Sequence, residues 1–480
     1  MDKKKTSQYV AFCFILLLLM VPDLYAGPDI EKWEVLSTGF PIGTTRRHEW
    51  HPWVEYNSAD KEFMVLWNTS GSMDGTGDIS YHSVDAQRIS TDGDFLADKI
   101  VISPPEGLNE FVTWKSMPKL AYNKHSNEYM VAYMAGYTYN NPFYPSGDPS
   151  QWTLYCIIER ARINAEGEIK FGPEALTPTT QWNASHTFIA FNSQRKEWMV
   201  GYNDKYIFTN NDNWYDNVGF ILDEKGNIIS DGPVRIDYGQ GSHFSPYVIY
   251  NPKKDTYMFA WEDFRHAAGA WYNGPWDIYG SLLDGEGNIL VDPIAVGDDT
   301  DLPDEGTIQI MPCIAYNSDK NEFLVAWGDN SPSLNGGGVV GRIIKADGTP
   351  KGPEFVIAEE LGFQNAPKMI YVKEAKKYFV VWEDARNSPP PPPDDLFSSE
   401  KDIYAKWLNP DGTAAGEDIP IYIGPGNQTM PMLSYSSHKK RFLIAWRDEN
   451  APGDYTPVGP GAPMAPEIKA DVRGALYGKR

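Results

Sequence analysis

One phrase recurs seven times along this chain, and it constrains the fold more than any other feature. It reads HPWVEYNSADKEFMVLW ending at Trp67, MPKLAYNKHSNEYMVAY at Tyr133, HTFIAFNSQRKEWMVGY at Tyr202 and SPYVIYNPKKDTYMFAW at Trp261. It returns as MPCIAYNSDKNEFLVAW at Trp327, APKMIYVKEAKKYFVVW at Trp382 and MPMLSYSSHKKRFLIAW at Trp446. Each copy is a short apolar strand, a polar turn and a second apolar strand with aromatic ends, the pattern of a β-hairpin. The strands are apolar at nearly every residue rather than at alternate ones, so both of their faces must be covered.

Two further strand signals joined by a Gly-containing turn complete each unit. They are clearest from Asp277 (DIYGSLLDGEGNILVDPIAVG), Gly338 (GVVGRIIKADGTPKGPEFVIA) and Asp402 (DIYAKWLNPDGTAAGEDIPIYI). The equivalent positions Asn57, Asn123, Asn192, Asn251, Asn317, Val372 and Ser436 lie 55 to 69 residues apart. Seven four-stranded meanders at that period predict an all-β, seven-bladed β-propeller. Internal repetition outweighs the chain length, which alone would suggest two or three domains. The last unit stops after a third strand, in IKADVRGALYGKR, while EKWEVLSTG at Glu31 to Gly39 is a spare strand near the start. This strand is expected to complete the seventh blade in antiparallel pairing, closing the ring and removing an open sheet edge.

Residues 1–26 read as a Sec signal peptide. Lys3 to Lys5 precede an apolar run from Val10 to Val21, and Ala26 is a small residue at the expected cut. The run is too short to span a bilayer comfortably. No cysteine sits just after the cut, which argues against a lipoprotein, and no second run of spanning length occurs, so the chain is expected as a secreted or periplasmic protein without membrane insertion. Residues 27–480 are expected as the single propeller domain. With 42 Lys+Arg against 65 Asp+Glu, the chain carries a net charge of −23. Such a charge disfavours nucleic acid and anionic membrane surfaces as partners. Cys13 leaves with the signal, and Cys156 and Cys313 fall in strands of distant blades. Neither a haem attachment motif nor a paired-cysteine metal pattern occurs, and no cofactor or metal is expected.

Two blades carry WEDFR at Trp261 to Arg265 with Asp277-Ile278-Tyr279, and WEDAR at Trp382 to Arg386 with Asp402-Ile403-Tyr404. These blades resemble those of bacterial secreted β-propellers of the TolB-like and sialidase-like kind. The resemblance is to a blade motif and implies fold, not reaction. The sialidase box Ser-x-Asp-x-Gly-x-x-Trp is not found in place. A column of aspartates, Asp204, Asp263, Asp329, Asp384 and Asp448, has Thr69 and Ala135 as its exceptions. Five near-identical copies argue for a structural task, accepting backbone N–H groups of the following loop. Arg265 and Arg386 are expected to pair with Asp277 and Asp402.

Departures from the repeat are the candidates for function. Three residues before the proline of each repeat stand Glu49, Lys115, Ala184, His243, Gln309, Gln364 and Gln428. These are expected to ring one mouth of the central channel. Three glutamines suit a polar lining, whereas Glu49, Lys115 and His243 titrate or pair and are the candidate catalytic groups. His48, His51 and His186 are expected nearby. The same face receives the long insertions after Tyr133, Tyr202, Trp261, Trp382 and Trp446, and the turns of the opposite face are short. Tyr139, Trp214, Tyr215, Trp271, Tyr272 and Trp276 in these insertions are the candidate binding residues, since aromatics among Asn, Asp and Gly suit stacking on sugar rings or on a protein surface. Pro389 to Pro393 form a stiff spacer.

Two classes of function fit. The first is a non-catalytic propeller that binds a glycan or protein partner, or scaffolds an extracytoplasmic complex, through the long-loop face. The second is a carbohydrate-active enzyme, a polysaccharide lyase or glycoside hydrolase, at the channel mouth. A hydrolase needs two carboxylates in one cleft; Glu49 is one candidate, with Asp212 or Asp216 as the other. A lyase needs a base and a neutralising cation, for which His243 and Lys115 are the candidates. The regular blades and the lack of a catalytic signature favour the first class.

Overall fold

The computed structural model describes residues 32–43, 48–70, 82–104, 112–139, 153–176, 184–204, 215–239, 241–266, 275–297, 307–331, 333–334, 336–388, 400–449 and 470–480. These residues form seven four-stranded antiparallel sheets and no α-helix. Blades one to six span 48–103, 112–175, 185–235, 243–297, 309–359 and 364–422, each a four-strand meander in chain order. Blade seven takes three strands from 427–478, and its fourth is the strand Glu34–Gly43, antiparallel to Ala470–Gly478. Closure by the N-terminal strand is therefore as expected. The pairing runs from Glu34 opposite Gly478 to Gly43 opposite Val472, past the expected end at Gly39. Gly39 itself takes a φ of 68°, which lets the strand bulge and continue.

The first strand of every blade touches the first strands of both neighbours, all the way round, so these seven strands wall the channel. The second strands are wholly apolar and wholly buried through their centres. Their side chains fill seven core clusters, each shared by two adjacent blades. Trp67, Tyr133, Tyr202, Trp261, Trp327, Trp382 and Trp446 are each 0% exposed. Covering both faces of every blade in this way explains why the repeats are apolar without alternation.

The short turn between first and second strands is built by the asparagines that mark the repeat. Asn57 Oδ1 accepts the N–H groups of Ala59 and Asp60 at 2.9 Å, and its Nδ2 donates to Asn127 in the next blade at 2.8 Å. Asn192 and Asn251 make the same reach, to Asp255 and Asn321. One residue type thus folds the turn and ties neighbouring blades on this face. Cys156 and Cys313 are free thiols.

Candidate functional site

The channel mouth is shaped by a β-bulge repeated in all seven blades. In each first strand the ladder skips, as between Trp50 and Trp53, Ser116 and Lys119, or Phe244 and Tyr247. His51, Met117, His186, Ser245, Met311, Ala366 and Met430 sit in these bulges with φ between 46° and 55°. Proline follows six of the seven, which suits a place where the backbone donates no ladder bond. Glu262 accepts the freed N–H of Met311 at 2.8 Å, and Glu383 accepts that of Met430 at 2.7 Å.

Seven bulge residues rim a cup of about 170 Å³, floored by Lys119, Tyr247 and Lys368. Below the cup the rings of Trp53 and Tyr247, from blades one and four, approach to 6.3 Å between centroids and narrow the channel. A second chamber of about 530 Å³ opens toward the short-turn face. Lys119 Nζ lies 4.1 Å from the centre of the Trp53 ring and Lys368 Nζ lies 5.8 Å from that of Tyr247. Burial pulls Lys119 down to about 7, helped by the charge of Lys368. Burial likewise lowers His51 and His186 to about 4 and raises Glu55 to about 7. His51 and His186 are at the mouth, as expected; Lys119, Lys368, Trp53 and Tyr247 were not anticipated from sequence.

The expected ring of Glu49, Lys115, His243 and the glutamines is not at the mouth. All seven positions of that column are buried, because the bulge adds one residue and reverses the alternation of facing. The six longer side chains of the column, all but Ala184, meet groups at their blade junctions. Lys115 donates to Ser103 Oγ at 2.6 Å and to the Pro104 carbonyl at 2.7 Å. Gln364 donates to the Gly362 carbonyl and accepts from the Glu360 N–H, both at 2.9 Å. Gln428 donates to the Pro425 carbonyl and Asp448. Gln309 accepts from Ile278 N–H and donates to Asp329. Glu49 packs where any side chain on Gly43 would strike its carboxylate. The three candidate catalytic residues thus occupy separate junctions, before blades one, two and four.

His243 is the most charged of these latches. Its Nδ1 stands 3.0 Å from Asp237 Oδ1 and its Nε2 3.3 Å from Asp263 Oδ2, all fully buried. Burial alone would lower its pKa, but Asp237 and Asp263 outweigh that and hold it up at about 9. Asp216, at the start of the third strand of blade three, is raised to about 6 by burial and by Asp237.

Three members of the aspartate column, Asp263, Asp329 and Asp384, do the structural work expected of them. Asp263 and Asp384 accept the N–H of Arg265 and Arg386 at 2.9 Å, and Asp329 that of Ser331 at 2.7 Å. The indole N–H groups of Trp261 and Trp382 donate to the same carboxylates. Arg265 and Arg386 fork onto Asp263 and Asp384, not onto Asp277 and Asp402 as expected. Asp277 instead meets His266, and Asp402 meets Asn387.

Of the candidate binding residues, Trp214, Trp271 and Tyr272 lie outside the described residues, as do Asp212 and Pro389 to Pro393. Tyr139 ends the second strand of blade two, where only its backbone is described. Tyr215 and Trp276 are half-buried and belong to one aromatic row. Tyr215 lies 5.0 Å from Phe244, Phe244 5.3 Å from Phe264, and Phe264 4.6 Å from Trp276. From within the row Phe244 also meets His186, 5.9 Å away on the rim of the cup.

No protein-family profile matches this sequence, and no curated protein matches it. Among solved structures it is similar to a protein of unknown function from Dyadobacter fermentans, with a TM-score of 0.50 and 11% identity over 94% of this chain and 100% of that one. It is also similar to an α-L-arabinanase from Penicillium chrysogenum (TM-score 0.42, 9% identity, 93% and 98% covered) and to a NanB sialidase from Streptococcus pneumoniae (0.46, 8%, 92% and 70%). These likenesses are of fold.

Proposed function

We propose that this propeller is an exported, non-catalytic glycan-binding protein whose ligand lies along the Tyr215–Phe244–Phe264–Trp276 row and enters the cup. The aromatic row carries the reading. Its four residues remain partly exposed, Tyr215, Phe264 and Trp276 flank the long insertions after Tyr202 and Trp261, and Phe244 leads to the rim at His186. Partly exposed aromatic residues suit sugar rings, which present apolar C–H faces and hydroxyl edges, and the mainly apolar cup adds a few polar groups, His51, His186, Lys119 and Lys368. Glu49, Lys115 and His243 favour binding over catalysis, because each is engaged in its own blade junction instead of a shared cleft. Export rests on the form of residues 1–26. Among the described residues no helix is long and apolar enough to cross a membrane.

The test is binding of neutral and anionic polysaccharides by affinity electrophoresis and calorimetry, with reducing ends assayed in parallel. Tyr215→Ala and Trp276→Ala should each weaken binding about tenfold, as loss of a stacking anchor worth ~1–2 kcal/mol implies. Binding unchanged in both folded variants would refute the row as the site. Release of reducing or unsaturated ends by the wild type would refute the non-catalytic reading.

A further inference from the structure

The junction between blades three and four holds a cluster that the latch role does not exhaust. Asp216 opens the third strand of blade three, Asp237 follows its fourth strand, and His243 opens blade four. One ligand atom from each lies within 4.8 Å of the others. Asp216 is 1% exposed and His243 0%, yet neither oxygen of Asp216 and neither ring nitrogen of His243 has a hydrogen-bond partner. The contacts of His243 with Asp237 and Asp263 have the distance of ion pairs without the alignment of hydrogen bonds. Buried groups of this polarity are normally satisfied, and a dehydrated carboxylate without donors is costly.

The nearby arginines are engaged elsewhere. Arg265 is forked on Asp263, and Arg235 Nε donates to the Asp237 carbonyl. The spacing suits a single ion. Two ligands ~2.1 Å from an octahedral centre are ~3 Å apart when adjacent and a little over 4 Å apart when opposite. The 3.0 Å between His243 Nδ1 and Asp237 Oδ1 is the adjacent value.

We propose that Asp216, Asp237 and His243 form a binding site for one divalent transition ion that clamps blade three to blade four. An imidazole nitrogen, whose proton the ion displaces to solvent, with two carboxylates suits Zn²⁺ or Mn²⁺ better than Ca²⁺, which prefers six or more oxygens. Two aspartates neutralise the ion's charge, and Asp263 keeps Arg265. The site is expected even though the cysteine and histidine spacings of the sequence carry no metal motif, because its ligands come from three separate strands or loops. It stands independently of glycan binding at the mouth.

The test uses the full mature chain, stripped with EDTA and dialysed against Zn²⁺ or Mn²⁺. About one equivalent of at least one ion per chain should be retained by elemental analysis, with a melting temperature several degrees above the stripped protein. Asp216→Asn and His243→Gln should abolish both the retained equivalent and the shift; Asp216→Asn keeps the side-chain shape and removes a buried charge without donors, so it guards against a folding failure in His243→Gln, which leaves Asp237 without its counter-charge. A stripped wild type that keeps neither ion, or retention unchanged in both folded variants, overturns the proposal.

Discussion

Deleting the N-terminal strand isolates the energetic contribution of ring closure. The strand supplies Ile42, which is 6% exposed, and half-buried Leu36 and Phe40 to the cluster between blades seven and one. Trp33 and Val35 join the cluster between blades six and seven, where Trp33 lies 5.1 Å from Trp407, 5.7 Å from Phe442 and 5.9 Å from Tyr477. Full burial of such a side chain stabilises by about 1.5–3 kcal/mol, so one complete and four partial burials amount to roughly 5–8 kcal/mol before the ladder is counted. A whole domain is stable by only about 5–15 kcal/mol. A chain beginning at residue 44 also leaves Ala470–Gly478 as an open edge, free to pair with another molecule. It should therefore lose its sharp thermal transition and elute as aggregates on gel filtration, and a peptide of residues 32–47 added in excess should restore part of the transition by mass action. A milder probe, Ile42→Ala, should cost about 2–4 kcal/mol in chemical denaturation with the m-value unchanged. A truncated chain that stays monomeric and melts at the wild-type temperature would refute the closure argument.

Acid should test the channel mouth. His51 and His186 are held near 4 by burial, so the unfolded chain binds protons that the folded chain refuses between about pH 6.5 and 4. Their contribution is complete above pH 6.5 and is lost as the pH falls, by ~1–2 kcal/mol per ring after allowance for channel water. Glu55, raised to about 7, works the other way between pH 7 and 4.5, so the comparison is with a His51→Asn/His186→Gln variant, whose stability should fall less from pH 6.5 to 4.5; parallel curves would contradict it. Ala366 holds a φ of 49° in its bulge, and Ala366→Gly should raise stability by ~0.5–1 kcal/mol in urea denaturation, a gain that disappears if the bulge is unstrained.

The architecture was legible because every blade repeats the same solution, a doubly covered second strand with a tryptophan or tyrosine at its end, and five of the seven add a turn-forming asparagine. Ring closure was legible for a related reason, a missing strand at one end and a spare one at the other. What the repeat concealed was the facing of side chains. Period-two counting from the channel-facing Trp53 or Lys119 puts Glu49 and Lys115 on the channel, and it fails because His51 and Met117 occupy an extra, left-handed position. The signal was present in the proline at 52, 118, 246, 312, 367 and 431, which reads as a bulge once it is asked why a channel-wall strand tolerates a residue without an N–H.

The same shift changes the meaning of variation within that column. Glutamine, lysine, histidine and glutamate at these seven positions look like departures from a lining, and so like chemistry. In the fold they are different answers to one local demand, because each blade hands its chain to the next across a buried crossover whose polar groups need partners. The three glutamines meet that demand with an amide that both donates and accepts. Lys115 can only donate, and it meets two oxygens, Ser103 Oγ and the Pro104 carbonyl. His243 departs furthest, since the crossover it faces brings Asp237 where other blades bring carbonyls or a glycine, and a neutral amide would leave that carboxylate without a counter-charge. Variation in this column therefore follows what the preceding blade presents. The positions whose variation is free of that demand lie two residues past the bulge, at Trp53, Lys119, Tyr247 and Lys368, where side chains meet the channel itself, and there the blades differ in size, charge and aromatic character. Selection for a ligand would act on those positions and on the aromatic row that leads to them.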